Sequence, residues 1–211
     1  MNVEPGKKNI SRAVWILIGC AALAAGGIAG SMFASNPPPP LRATTVLQVA
    51  RPLTGFQLLD QDGRSASLES FKGRWTLLFA GFTSCPNICP STLTRLRQIA
   101  DTLPPDLRPR VMLLSVDPER DTPARLKQYL AQFDPAFVGL TGDPVVLRSL
   151  RTQLGLIAEK SEGAAADGYT VDHSASLVLI NPRGEVAGYL SPPFDVAAIA
   201  DDLRQLAGAR G

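Results

Sequence analysis

The stretch Arg74–Leu93, RWTLLFAGFTSCPNICPSTL, decides the fold. Its first nine residues, Arg74–Phe82, are almost continuously apolar, which predicts a strand buried on both faces of a sheet. Its far end predicts a helix. Pro90 suits a first helical position, and Leu93, Leu96, Ile99, Ala100 and Leu103 line one apolar face before Pro104 and Pro105 stop it. Between strand and helix stand Cys85 and Cys89, three residues apart. Such a pair forms a structural disulfide, exchanges electrons with other thiols, or holds a metal.

Working outward, GFQLLDQDGR (Gly55–Arg64) reads as a strand entering a tight Asp62-Gly63 turn. VMLLSV (Val111–Val116) is a second buried strand. Thr122-Pro123 opens a helix through about Phe133, and Asp143-Pro144 opens another that ends near Gly155. SEGAAADGY (Ser161–Tyr169) is a flexible loop at a hairpin tip. SASLVLI and EVAGYL are strands joined by the turn Asn181-Pro-Arg-Gly184, and Asp195 caps a last helix carrying Ile199, Leu203 and Leu206 on one side. This order is that of a thioredoxin-like α/β fold with an N-terminal hairpin added. Ligands of open α/β sheets bind beyond the carboxyl ends of the parallel strands, where the cysteines fall. YTVDH (Tyr169–His173) precedes the antiparallel strand, and in a thioredoxin-type arrangement that segment folds back beside the cysteines.

The 211 residues suit one domain and an appendage. Apolar residues make up 45% and charged ones 19%, enough for a core and against general disorder. A formal charge of +2, with no basic stripe, argues against nucleic acid as a partner. The appendage is residues 13–34, AVWILIGCAALAAGGIAGSMFA, uncharged and about 33 Å long as a helix, enough to cross a bilayer. Lys7, Lys8 and Arg12 in residues 1–12 favour a cytoplasmic N-terminus and an exported remainder. A cleaved signal peptide fits less well, because the run is long and SMFAS is a poor cleavage site. LIGC, ending at Cys20, is lipobox-like but the apolar run continues well past it, and Gly26 and Gly30 have helix-pairing spacing without requiring a partner. Residues 35–44, with Pro37–Pro40, form a stiff linker, and the exported domain is expected over 45–211.

The two cysteines outside residues 13–34 are too few for a disulfide scaffold, and a domain of this size needs none. Their position before a helix favours thiolate, the form that binds metals and attacks disulfides. A CxxxC gap leaves more room for an ion than CxxC, and two soft sulfurs select copper first among available metals. His173 is the sole histidine of the chain. A lone histidine is ordinarily a surface or core residue; its predicted place opposite the cysteine loop makes it a candidate third ligand.

GFTSCPNICPSTL, LLSVDPERDTP and YTVDHSASLVLINPRGEVAGY, in this order and spacing, resemble the Sco/SenC family of copper-binding cytochrome c oxidase assembly proteins, from about Val46 to about Leu206. The resemblance implies a thioredoxin-like fold and a membrane anchor. It also implies copper, as Cu(I) or Cu(II), on Cys85, Cys89 and His173, and a role in maturing the binuclear copper centre of oxidase subunit II. Two departures stand out: Ser84 where the family often has His, and Asn87 where it often has Asp.

The expectation is therefore a copper chaperone rather than an enzyme, held in a bacterial inner membrane with its domain in the periplasm. Its partners would be oxidase subunit II and a copper donor protein. The alternative is a thiol-disulfide reductase using Cys85 and Cys89 as its redox pair; a structural zinc site ranks last for want of a fourth ligand. Asp117 and Asp121 of DPERDTP read first as turn and cap residues, and second as negative charge offered to a donor or as groups orienting the site. Asp172 reads equally as a partner for the His173 ring or as a loop cap. No Ser/His/Asp triad and no phosphate loop are present.

Overall fold

The computed structural model describes residues 40–162 and 168–208, all within one compact unit that begins at Pro40. The expected membrane segment 13–34 lies outside the described residues. Among the described ones, no helix is long and apolar enough to cross a membrane.

Among the described residues, ten strands and four α-helices follow one another: β1 Thr44–Arg51, β2 Leu58–Asp60, β3 Ser65–Ala66, β4 Thr76–Gly81, α1 Ile88–Thr102, β5 Arg110–Ser115, α2 Pro123–Leu130, β6 Val138–Thr141, α3 Pro144–Leu154, β7 Ala158–Glu162, β8 Tyr169–His173, β9 Leu177–Ile180, β10 Val186–Leu190 and α4 Val196–Gly208. Eight strands make one sheet in the order β1-β10-β9-β4-β5-β6-β2-β3. β4, β5 and β6 run parallel; β9 lies antiparallel to β4, and β10 to β9. Every residue of β4 and β9 is buried, as their almost wholly apolar sequence requires of central strands.

The predicted β2–β3 hairpin forms around Asp62-Gly63, and it joins the sheet through β6. β1 is at the opposite edge on β10, and sequence reading missed it. Its alternation is blunted because much of it faces solvent. The buried carboxylate of Asp202 in α4 accepts from the backbone N–H groups of Arg42, Ala43 and Thr44 at 2.9, 2.9 and 2.8 Å, so the folded unit is fixed before β1 begins.

Helix ends follow their local chemistry. Thr122 Oγ1 accepts from the Arg125 amide and Asp143 Oδ1 from those of Val145 and Val146, each just ahead of a proline at N1. Gly155 closes α3 at φ 70°, the left-handed conformation that a Cβ disfavours. Leu93, Leu96, Ile99 and Ala100 form the buried face of α1, which lies against α4.

YTVDH is not a loop. It is β8, paired antiparallel with β7 in a two-stranded sheet of its own, Ala158 opposite His173 and Glu162 opposite Tyr169. The pattern hid β7 because AEKSE is polar and half exposed, supported by pairing and not by a core.

Candidate metal centre

The centre starts where β4 ends. Past Gly81 the Phe82 carbonyl accepts from the Cys85 amide at 3.3 Å, turning the chain back. Thr83 donates through its amide (3.1 Å) and hydroxyl (2.6 Å) to Asp121 Oδ1, while Ser115 Oγ donates to Oδ2 at 2.6 Å. Burial pushes the Asp121 carboxyl above its ordinary value, and the bonds from Ser115 and Thr83 pull the other way. From α2, Arg125 donates to Thr83 Oγ1 at 2.9 Å and to Ser84 Oγ at 3.0 Å. Both hydroxyls of the cysteine loop are thereby tied to the segment 121–125.

The helix begins two residues before Pro90, so Cys89 lies inside the first turn. Proline is accepted there because first-turn N–H groups have no partner within the helix. Asn87, the N-cap, makes no side-chain cap bond; the Cys89 amide instead donates to Cys85 Sγ at 3.3 Å. A sulfur fills the capping role, with the positive end of the helix beside it.

His173 arrives from the other side, at the end of β8. Its Nδ1 is 3.1 Å from the Ser174 carbonyl, which only accepts, so Nδ1 carries the hydrogen and Nε2 faces Cys89 Sγ at 3.5 Å. The ring stands edge-on to Phe82, centroids 5.9 Å apart and planes at 89°. The ligating atoms of Cys85, Cys89 and His173 all lie within 4.8 Å of one another. The structure thus brings together the three side chains that the sequence singled out as candidate ligands, and no disulfide joins the sulfurs in this structure.

The two thiols differ sharply. The hydrogen bond from Cys89 is the largest influence on Cys85; burial opposes it, and His173 with the amides of Cys89 and Asn87 adds to it, holding Cys85 down at about 4. Cys89, the donor in that bond and fully buried, is pushed well above the ordinary thiol value. The resting pair is one thiolate and one thiol. Burial pulls His173 down, but its contact with the Cys85 thiolate and its bond to the Ser174 carbonyl outweigh this and raise it.

A metal fits this set. With bonds of about 2.3 Å to sulfur and 2.0–2.1 Å to nitrogen, two donors of one ion lie at most about 4.6 Å apart. Donors already within 4.8 Å need only small shifts. Two thiolates and an imidazole form a soft to borderline set. Among the described residues the cluster offers three ligands, one short of a closed structural zinc site.

Two readings change. Asp172 does not orient His173: neighbouring residues of a strand point to opposite faces, and its carboxylate accepts from Ser161 on the exposed side of the hairpin. The orienting group is the Ser174 carbonyl, invisible to any side-chain motif. Asp117 and Asp121 are both fully buried, so neither offers charge to a partner. Cap and turn roles exist beside this: the Asp117 carbonyl accepts from the amides of Arg120 and Asp121, and Thr122 caps α2. Gly81 is a further site residue that sequence reading passed over. A Cβ there would lie 3.1 Å from Cys89 Sγ, and a glycine ending a buried strand is the sequence signal for such a close approach.

With this geometry in hand, comparison with known proteins is specific. The SCO1/SenC family model matches residues 47–208. The chain belongs to the Sco/SenC family. A mitochondrial Sco2 homologue of Bos taurus is 34% identical over 167 residues, 78% of this chain; the match spans 63% of the bovine protein, under two thirds of its length. Copper-bound ScoI of Bradyrhizobium japonicum is 36% identical, with a TM-score of 0.66 over 72% of this chain and 97% of that one. Apo Sco1 of Thermus thermophilus is 34% identical, with a TM-score of 0.69 over 77% and 95%. The thioredoxin-like α/β fold of the Sco family is therefore that of this chain.

Proposed function

We propose that this Sco-family protein is a copper chaperone, binding one copper through Cys85, Cys89 and His173 and delivering it to cytochrome c oxidase subunit II during assembly of the binuclear copper centre. The observation that carries the reading is the convergence of three soft or borderline donor atoms within 4.8 Å, from two segments 84 residues apart. Copper-bound relatives of this fold, from Bradyrhizobium japonicum and Arabidopsis thaliana, support copper as the cargo. Copper would arrive from a donor protein and leave by ligand exchange, each thiolate of the acceptor replacing one of the chaperone's. Residues 13–34 would span a bacterial inner membrane and residues 35–44 would hold the domain off it in the periplasm.

The test is metal analysis of the reduced full-length chain after loading with copper(I) and copper(II). One copper per chain is expected, lost in Cys85→Ser and Cys89→Ser and weakened in His173→Ala. Undiminished binding in all three variants would end the proposal.

One observation favours a second role, as a thiol-disulfide reductase: the contrast between the Cys85 thiolate and the buried Cys89 thiol. Cys85 would attack a disulfide of subunit II, releasing one of its thiolates and forming a mixed disulfide. Cys89, losing its proton, would then displace the second thiolate and leave a Cys85–Cys89 disulfide for an external dithiol to reduce. His173→Ala separates the two roles, since full oxidase assembly in that background favours the reductase.

A further inference from the structure

The hairpin that carries His173 belongs to no other sheet. Its pairing is internal, β7 with β8, and the bonds at its base, Ser174 amide to Ile157 carbonyl (3.0 Å) and Ile157 amide to Ser174 Oγ (2.9 Å), are internal too. Something else must set where its inner face stands over the cysteines. Period-2 alternation puts Tyr169, Val171 and His173 on that face. Val171 enters the core at 4% exposure. About 13 Å of strand separates Tyr169 from His173, with Val171 midway, so displacement at one end is felt at the other.

At the Tyr169 end the DPER segment closes round the ring. Tyr169 donates its hydroxyl to Asp117 Oδ1 at 2.7 Å. The Arg120 guanidinium lies 3.9 Å from the ring centroid, donates to the Tyr169 carbonyl at 3.4 Å and is ion-paired to Asp117. Lys160 Nζ, held at 2.8 Å by Glu119, is 4.5 Å from the same centroid. Arg120 also sits 5.7 Å from the Phe82 ring, whose contact with the His173 ring is described above. One guanidinium therefore braces the far end of the hairpin and the wall on which the imidazole rests.

We infer that Asp117, Arg120 and Tyr169 form a clamp that positions His173 over the cysteine pair. These are positioning residues; none touches the sulfurs. The clamp gives the DPER segment a use beyond its turn, and it deepens the copper-site reading, resting on His173 as a ligand of that site. The flat guanidinium stacked on a ring is what a lysine does not reproduce.

Two measurements on the full-length chain test the clamp. Because the chain has one histidine, NMR of the reduced, metal-free protein shows one set of imidazole signals, and the native protein is expected to give a cross-peak between the His173 and Phe82 rings. Tyr169→Leu and Arg120→Lys are each expected to weaken or split that signal while core methyl signals of β4 and β5 persist; Tyr169→Phe, which keeps the stacked ring, is expected to retain most of it. An unchanged ring contact in folded Tyr169→Leu or Arg120→Lys overturns the clamp. Copper(II) titration gives the second readout. Tyr169→Leu and Arg120→Lys are each expected to lose about tenfold in affinity, as groups that hold metal ligands in place do, but under about twofold in a His173→Ala background. An equal loss in both backgrounds means the effect bypasses His173 and also overturns the clamp. If His173→Ala alone leaves affinity untouched, the ligand reading fails, while the metal-free spectra still decide whether the clamp holds the ring.

Discussion

Replacing Gly81 by alanine probes how tightly the sheet is fitted around Cys89. The position has no positive φ, so the added methyl meets no backbone strain and its effect is steric. Its Cβ would fall 2.7 Å from Phe79 Cε2 and 3.1 Å from Cys89 Sγ. Regaining separations of about 3.5 Å requires the Phe79 ring to retreat by about 0.8 Å and the sulfur by about 0.4 Å. Both neighbours are buried, Phe79 at 3% exposure and Cys89 at 0%, so neither has free space to enter. Overpacking of this kind costs about 1–3 kcal/mol, set against the roughly 0.4–1 kcal/mol by which Gly→Ala stiffens the unfolded chain. A net loss near 1–2 kcal/mol lowers the melting temperature of a domain this size by about 2–8 °C. A sulfur shift of about 0.4 Å also exceeds the ±0.2 Å tolerance of metal–ligand bonds, so copper affinity should fall with stability. Thermal unfolding of the metal-free protein and copper titration of the same sample are the assays. A Gly81→Ala protein that melts at or above the native temperature and binds copper as tightly refutes the packing argument.

Further outcomes follow from the same geometry. Alkylation of Cys85 should proceed at a constant rate from pH 9 down to about 5 and fall by half near pH 4, because its folded value lies far below the ordinary thiol range. The linked stability has one sign: a depressed folded value contributes fully above the unfolded thiol value, near pH 8.5–9, and the contribution is lost as pH falls from there through about 4. Chemical denaturation at pH 8 and pH 5 of the reduced His173→Ala protein, which lacks the opposing contribution of the raised imidazole, reads that loss. Asp202→Ala removes the acceptor of three backbone N–H groups and should cost about 2 kcal/mol or more, with amide exchange accelerated first at residues 42–44. Asp172→Ala should leave copper affinity within about twofold of native, since its carboxylate faces Ser161; a tenfold loss would reinstate it as the partner of His173.

The central elements were legible because their burial leaves marks on composition. β9 is apolar throughout and β4 is apolar after Thr76, and a strand buried on both faces has little other way to be written. α2 and α3 declare themselves through Thr122-Pro123 and Asp143-Pro144, where cap and first-turn chemistry are local. β1 and β7 left no such mark. Their residues are largely exposed and their pairing is set by distant partners, Tyr189 opposite Thr45 and His173 opposite Ala158. A polar edge strand is written in another segment's backbone.

The same division runs through the site. Cys85, Cys89 and His173 could be singled out as candidate ligands because soft donors are scarce in this chain and their chemistry is carried by residue type. What holds them could not be, because orientation comes from geometry that residue type does not encode. Asp172 was the natural partner for its neighbour by adjacency, yet adjacency along a strand guarantees opposite faces; the bond to Nδ1 came instead from a backbone carbonyl any residue could supply. DPERDTP shows the converse case. Read locally, Asp117 and Asp121 satisfy a turn and a helix start, and that account is correct as far as it goes. Their full burial requires partners for both carboxylates, and those partners lie far along the chain, Thr83 in the cysteine loop and Tyr169 at the start of β8. Two buried carboxylates four residues apart thus tie down both segments that bring sulfur and nitrogen together, so a change in this motif should disturb the site without altering any of its three donors.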